Sequence, residues 1–84
     1  MTYKVLLPRA AQKALDRLPD DVAERLLKKL ALLEVSARPA DSKKLKGRDA
    51  WRVRVGDYRV IYEIDDRLGQ VVVVVIGHCR EVYR

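Results

Sequence analysis

The chain has 84 residues, 49% hydrophobic and 36% charged, with a net charge of +6; that length bounds it to a single domain over residues 1–84, burying roughly 60–65% of its unfolded surface. A lone cysteine, Cys79, excludes an internal disulfide framework and a multi-cysteine zinc site, and suits a reducing compartment. The first residues, M-T-Y-K-V-L-L-P, have no extended apolar core of a signal peptide, and the longest apolar run, 71–76, is far too short to span a bilayer, so a cytoplasmic protein with no membrane partner is predicted.

Residues 3–7 have strand character, with Tyr3, Val5 and Leu7 on one side. Pro8 ends the strand and opens a helix in which Ala11, Ala14, Leu15 and Leu18 recur at helical spacing. Pro19 breaks that helix. Asp20 and Asp21 then place negative charge at the start of a second one, with Glu24 set for a capping box from Asp21. Val22, Leu26, Leu30 and Leu33 form its apolar stripe, widened by Ala23, Leu27 and Ala31, while Arg25, Lys28 and Lys29 read most simply as a solvated face. The two helices make an αα-hairpin.

Residues 36–50 lack periodicity, are basic, and contain Pro39 and Gly47, so they are expected to be a loop anchored by Leu45. Loops of that length in small domains are often functional. Within it, Lys44 and Lys46 flank the anchor and are expected to point away from the core. Residues 51–62, W-R-V-R-V-G-D-Y-R-V-I-Y, read as a hairpin around a Gly56-Asp57 turn of type II′. A two-residue loop sets Val55 opposite Tyr58, Arg54 opposite Arg59, Val53 opposite Val60 and Arg52 opposite Ile61. One face then holds Trp51, Val53, Val55, Tyr58, Val60 and Tyr62, and the other holds Arg52, Arg54 and Arg59. After a turn at 65–69, residues 71–76 form an apolar strand without alternation, which predicts a central strand buried on both faces. Gly77 is expected to end it. The order is β-α-α-β-β-β: an α+β fold, a small twisted, mostly antiparallel sheet with the helix hairpin packed on one face.

The charge is concentrated. Between residues 38 and 59 lie eight basic and three acidic residues, so that stretch carries +5 and the remaining 62 residues +1. A local excess of this kind marks a face, with nucleic acid as the first candidate partner. Like charges directly opposite on a ladder cost stability, so Arg54 facing Arg59 with Arg52 alongside predicts an anion between them. The arginine face should line a shallow groove bordered by Lys44, Lys46 and Arg48 of the loop and by His78 and Arg80 of the tail, the candidate substrate-binding residues. One histidine and one cysteine leave no metal-ligand cluster, and there is no glycine-rich phosphate loop. Guanidinium groups bind phosphate in a forked geometry and stabilise charge building on it. If the substrate is RNA, its own 2′-hydroxyl is the nucleophile. Arginine is a poor general base, which leaves proton transfer to Tyr83, to His78, or to the RNA and solvent.

K-K-L-K-G at 43–47, the 51–62 hairpin, the apolar strand and I-G-H-C-R-E-V-Y at 76–83 together resemble the RelE-like toxins of the RelE/ParE type II toxin–antitoxin superfamily. The resemblance covers nearly the whole chain. It implies a metal-independent endoribonuclease, an mRNA interferase with no cofactor, that cleaves mRNA on the ribosome and so inhibits translation. It also implies a cognate antitoxin that blocks the toxin, and contact with operator DNA only through the antitoxin complex. Carried over, Arg52 and Arg54 act on the substrate and its proton, Arg59 holds the scissile phosphate, and Tyr83 orients the nucleophile or stacks on a base; these four are the candidate catalytic residues. Two features depart from the pattern. Cys79 stands where the family commonly has arginine, which predicts a weakened toxin, and the chain lacks the further C-terminal helix of many relatives. A ParE-like inhibitor of DNA gyrase and a non-catalytic antitoxin-binding domain remain the alternative readings.

Overall fold

The computed structural model describes residues 2–47 and 49–78. Strand β1 (Lys4–Leu6) leads into helices α1 (Arg9–Asp16) and α2 (Asp20–Val35), followed by β2 (Lys43–Lys44), β3 (Ala50–Val55), β4 (Tyr58–Asp65) and β5 (Gln70–His78). The sheet order is β1-β5-β4-β3-β2. Strands β2 to β5 pair antiparallel, and β1 lies parallel to β5. The α+β class and the helix pair on one side of a mostly antiparallel sheet agree with the sequence pattern. The expected order lacked one strand, because part of the 36–50 connection pairs with β3 as β2.

Both helices begin on a proline. Pro8 and Pro19 are the N-caps, in extended conformation, and their carbonyls accept the first helical hydrogen bonds, from Gln12 at 2.9 Å and Ala23 at 2.9 Å. Proline suits the place because its fixed φ and missing N–H cost nothing there. The expected capping box at Asp21 does not form: no side chain caps α2. Asp20 and Asp21 instead lie inside its first turn, near the positive end of the helix dipole, and Glu24 reaches Lys28 at 3.8 Å.

Register decides which residues meet the helices. Trp51 pairs with Tyr62 and Tyr62 with Val73; Val53 pairs with Val60 and Val60 with Ile76; Ile64 pairs with Val71 and Val71 with Val5. Directly paired residues share a face. Val53, Val60, Tyr62, Val71, Val73 and Ile76 join Ala11, Leu15, Leu26, Leu30 and Leu33 in one buried cluster, with Tyr3, Val5, Leu7 and Trp51 packed against it. Leu27 and Ala31 do not widen the buried stripe of α2; both are exposed.

The valine run departs from expectation more sharply. β5 is an interior strand but β4 is the central one. The register shifts between Ile61 and Tyr62, which face Val75 and Val73, so Val74 is the extra residue of a β-bulge. Val71 and Val73 are buried on the helix side before the bulge and Ile76 after it, while Val74 and Val75 are 37% and 39% exposed. The run lacks alternation because the bulge changes the phase of burial, not because both faces are covered. Nor does Gly77 end the strand, which continues to His78.

Two polar ties fix the chain between α2 and β2. The buried Tyr62 hydroxyl donates to the Ala37 carbonyl at 2.8 Å. Arg38 forks onto the Asp66 carboxylate at 3.2 and 2.8 Å and lies 5.3 Å from the centre of the Trp51 ring, while Tyr3 donates to Asp66 at 2.7 Å. Arg38 first, then Tyr3, holds the Asp66 carboxyl below its ordinary value of 3.8.

Tyr62→Phe should destabilise the fold by about 1–3 kcal/mol, since it strands a buried carbonyl; denaturant unfolding measures this. A carboxylate with a lowered folded pKa contributes stability that is present above the unfolded value and lost as pH falls through the folded one. Asp66→Asn should therefore lower the melting temperature at about pH 6 and flatten its decline below about pH 4. A variant that melts with the wild-type acid slope would mean the Arg38–Asp66 fork contributes nothing.

Candidate functional site

The site begins with a turn. Gly56 has φ 59°, and Asp57 is not at positive φ, as a type II′ turn requires. That two-residue loop sets the predicted register: Val55 opposite Tyr58, Arg54 opposite Arg59, Val53 opposite Val60 and Arg52 opposite Ile61. With Val53 and Val60 in the core, Arg52, Arg54 and Arg59 leave the hairpin on its other face, where Arg54 also borders a hollow beside Arg25, Lys28 and Lys29 of α2. Lys43 pairs with Arg52 across β2 and β3 and so lies on the same face.

These side chains meet. A cavity of about 110 Å³ is lined by Asp41, Lys43, Arg52, Val53, Arg54 and Arg59. Arg54 is oriented by its own turn: its Nε donates to the Gly56 carbonyl at 2.7 Å, and its Nη2 lies 3.9 Å from Asp57. Asp41 and Lys43 are positioned from the other side. The Ser42 backbone N–H and hydroxyl both donate to the Pro39 carbonyl, at 2.9 and 2.7 Å, folding the chain just before β2. Lys29 of α2 forms an ion pair and hydrogen bond with Asp41 and holds that carboxyl below its ordinary value. The cavity thus gathers four cationic side chains beside one ionised carboxylate, a donor set suited to holding an anion through forked, charge-assisted hydrogen bonds.

The predicted site residues are sorted by the structure. Arg52, Arg54 and Arg59 are together, as expected. Lys44 is not with them: it pairs with Trp51, on the opposite side of the sheet from Arg52, and approaches Asp49 at 4.0 Å. Lys46 is exposed and lines a separate open hollow with Lys44, Leu45, Gly47 and Asp49. His78 pairs with Tyr58 and meets its ring edge-on at 5.4 Å, which sets it on the helix side rather than among the arginines. Arg48, Cys79, Arg80 and Tyr83 lie outside the described residues. Lys43 and Asp41 were missed. Their membership depends on a two-residue strand and a side-chain contact to α2, neither of which leaves a periodic signal.

A larger hollow of about 520 Å³ at the other end of the hairpin is lined by Asp49, Glu63, Asp65 and Asp66 with Arg67. Its acidic lining would repel phosphate, so size does not identify the anion site. Among the described residues, no three His, Cys, Asp or Glu side chains converge as metal ligands, and no helix is long and apolar enough to cross a membrane.

The family model for the ParE toxin of the type II toxin–antitoxin system parDE matches residues 5–83. No curated protein sequence matches the chain significantly. Among solved structures, the chain is similar to one from the archaeal RelE–RelB complex of Pyrococcus horikoshii OT3, with 33% identity, a TM-score of 0.84, and coverage of 93% of this chain and 96% of that one. It is also similar to a chain of the intact E. coli RelBE toxin–antitoxin complex, at 30% identity, TM-score 0.80, and 90% and 95% coverage. A chain of the RelBE2 complex of Mycobacterium tuberculosis matches at 25% identity, TM-score 0.83, covering 93% and 99%. With a family match spanning nearly its whole length and the fold of these structures, this chain belongs to the RelE/ParE superfamily of type II toxins.

Proposed function

We propose that this toxin is an endoribonuclease that cleaves mRNA on the ribosome, using the cavity on the outer sheet face as its phosphate site. The observation that carries this reading is the Arg54–Arg59 cross-strand pair, with Arg52 and Lys43 converging on the same cavity. Two cations held opposite each other cost the free protein stability; a bound phosphodiester offsets that repulsion. Arg59 holds the scissile phosphate, and Arg52 and Arg54 stabilise the charge that builds as the substrate's 2′-hydroxyl attacks phosphorus and the 5′-oxygen leaves. Tyr83 is the proposed group for orienting the nucleophile. His78, turned toward Tyr58, has no part in the proposed chemistry. Lys44 and Lys46, which lie apart from the cavity, serve at most as outer contacts to the RNA backbone; Arg48 and Arg80 are proposed as further contacts to it.

Cys79 stands in the terminal motif where RelE-like chains commonly carry arginine, and we propose that it attenuates the toxin. A cognate antitoxin is the proposed partner, because similar chains crystallise as RelB complexes, with operator DNA bound through that complex. A second reading is inhibition of DNA gyrase, favoured by the match to the ParE family model. The cationic cavity weighs against it, since a protein–protein inhibitor has no need for a forked phosphate site.

Primer extension on mRNA programmed into ribosomes, run beside a gyrase supercoiling assay, separates the two. Codon-spaced cleavage without gyrase inhibition is expected; gyrase inhibition without cleavage would overturn the proposal. Arg59→Ala should lower the cleavage rate by on the order of 10²–10³. Arg54→Ala should also lose cleavage while leaving the melting temperature within about 4 °C of wild type; a large drop for both would make the arginines structural. Cys79→Arg should raise the cleavage rate by on the order of 10²–10³, and an unchanged rate would remove the attenuation.

A further inference from the structure

We propose that Asp41 is a specificity-determining residue of the cationic cavity, accepting a hydrogen bond from a ribose 2′-hydroxyl and so selecting RNA over DNA. The inference rests on the reading of this cavity as a nucleic-acid phosphate site.

Donor and acceptor chemistry carries the argument. Of the described side chains that line the cavity, Lys43, Arg52, Arg54 and Arg59 are donors only and Val53 is apolar. Asp41 alone accepts. A phosphodiester presents acceptor oxygens only, so it makes no hydrogen bond with a carboxylate and is repelled by it. The sugar–phosphate backbone of DNA has no donor to offer Asp41. RNA has one on every residue, the 2′-hydroxyl. Four donor side chains and one acceptor therefore match a phosphate with its neighbouring ribose, and they match the deoxy backbone poorly.

Asp41 is also held for such a role. Lys29, on α2, grips it from outside the cavity. In sequence Lys29 belongs to the solvated face of that helix, yet its side chain is only 19% exposed. The ion pair fixes the carboxylate at the cavity wall and keeps it charged; the same contact lowers its proton affinity. A carboxylate so weakened as a base is suited to accepting a hydrogen bond rather than to removing a proton.

The test is binding, not cleavage, because deoxy substrates lack the nucleophile and would fail to react whatever recognises them. Fluorescence anisotropy of the full chain with labelled single-stranded RNA and with DNA of the same sequence, uracil in both, gives a preference ratio. Salt is held constant, since phosphate contacts depend on it steeply. The wild type should prefer RNA by about tenfold, the value of one charge-assisted hydrogen bond. Asp41→Ala should bring the ratio near one, mainly by strengthening DNA binding. Asp41→Asn, which keeps an oxygen acceptor without the charge, should fall between. A wild-type ratio of one, or an Asp41→Ala ratio equal to wild type, would overturn the role of Asp41. Arg59→Ala is the separate arm: it should weaken RNA and DNA alike. If it binds both as wild type does, the phosphate site itself is wrong; if it weakens both while Asp41→Ala keeps the ratio, only the specificity role fails.

Discussion

The molecule depends on the register of one hairpin. The side chains of β3 and β4 alternate with a period of two, so a slip of one residue would exchange every inward and outward position. Gly56, at φ 59°, permits the two-residue turn that prevents the slip. In the observed register Val53, Val60 and Tyr62 are buried against the helices, and Arg52, Arg54 and Arg59 line the outer cavity. Core and site are thus two faces of one constraint. A slip would bury three guanidinium groups, at a cost no small core offsets, and the apolar side chains of the hairpin would lose their partners. This is why a cluster of like charges is tolerated: the same register that brings the arginines together is enforced by the hydrophobic side chains between them.

That coupling also explains which parts of the structure could be read in advance. Alternation of apolar residues and arginine at 51–55, with a Gly-Asp turn behind it, is a strong local signal, and the register followed from it without error. The helices were equally clear, since Leu26, Leu30 and Leu33 recur at helical spacing. The bulge at Val74 was hidden, because six consecutive apolar residues fit a change of phase as well as burial on both faces. Only the pairing of Ile61 with Val75 and Tyr62 with Val73 tells the two apart. The strand β2 was hidden for a different reason: two residues have no period. Missing it exchanged Lys43 for Lys44 in the expected groove. The capping box at Asp21 failed because Pro19 already supplied the cap two residues earlier.

Electrostatics divides the molecule along the sheet. The 520 Å³ hollow at one end of the hairpin has an acidic lining, and the 110 Å³ cavity on its outer face gathers cations. The charges that serve the fold are satisfied locally. Arg38, the first basic residue of the positive stretch, is committed to Asp66 and the Trp51 ring, and so belongs to the scaffold. Its fork joins the chain entering β2 to the β4–β5 turn. Together with the Tyr62 hydroxyl on Ala37, it holds the connection that delivers Asp41 and Lys43 to the cavity. The arginine cluster is therefore reached from two directions, through the hairpin register and through this tied connection.

Membership of the RelE/ParE superfamily fixes the fold but leaves the chemistry to the outer face, because fold and function separate in such families. A protein that worked only by covering a partner's surface would need shape and apolar area there. The outer face of β3 and β4 instead offers a small cavity lined by three arginines, one lysine and one ionised carboxylate. Simple anion binding does not explain the acceptor, since a carboxylate opposes it. On the proposed reading, an RNA backbone, which both accepts and donates within a few ångströms, engages Asp41 and the arginines together.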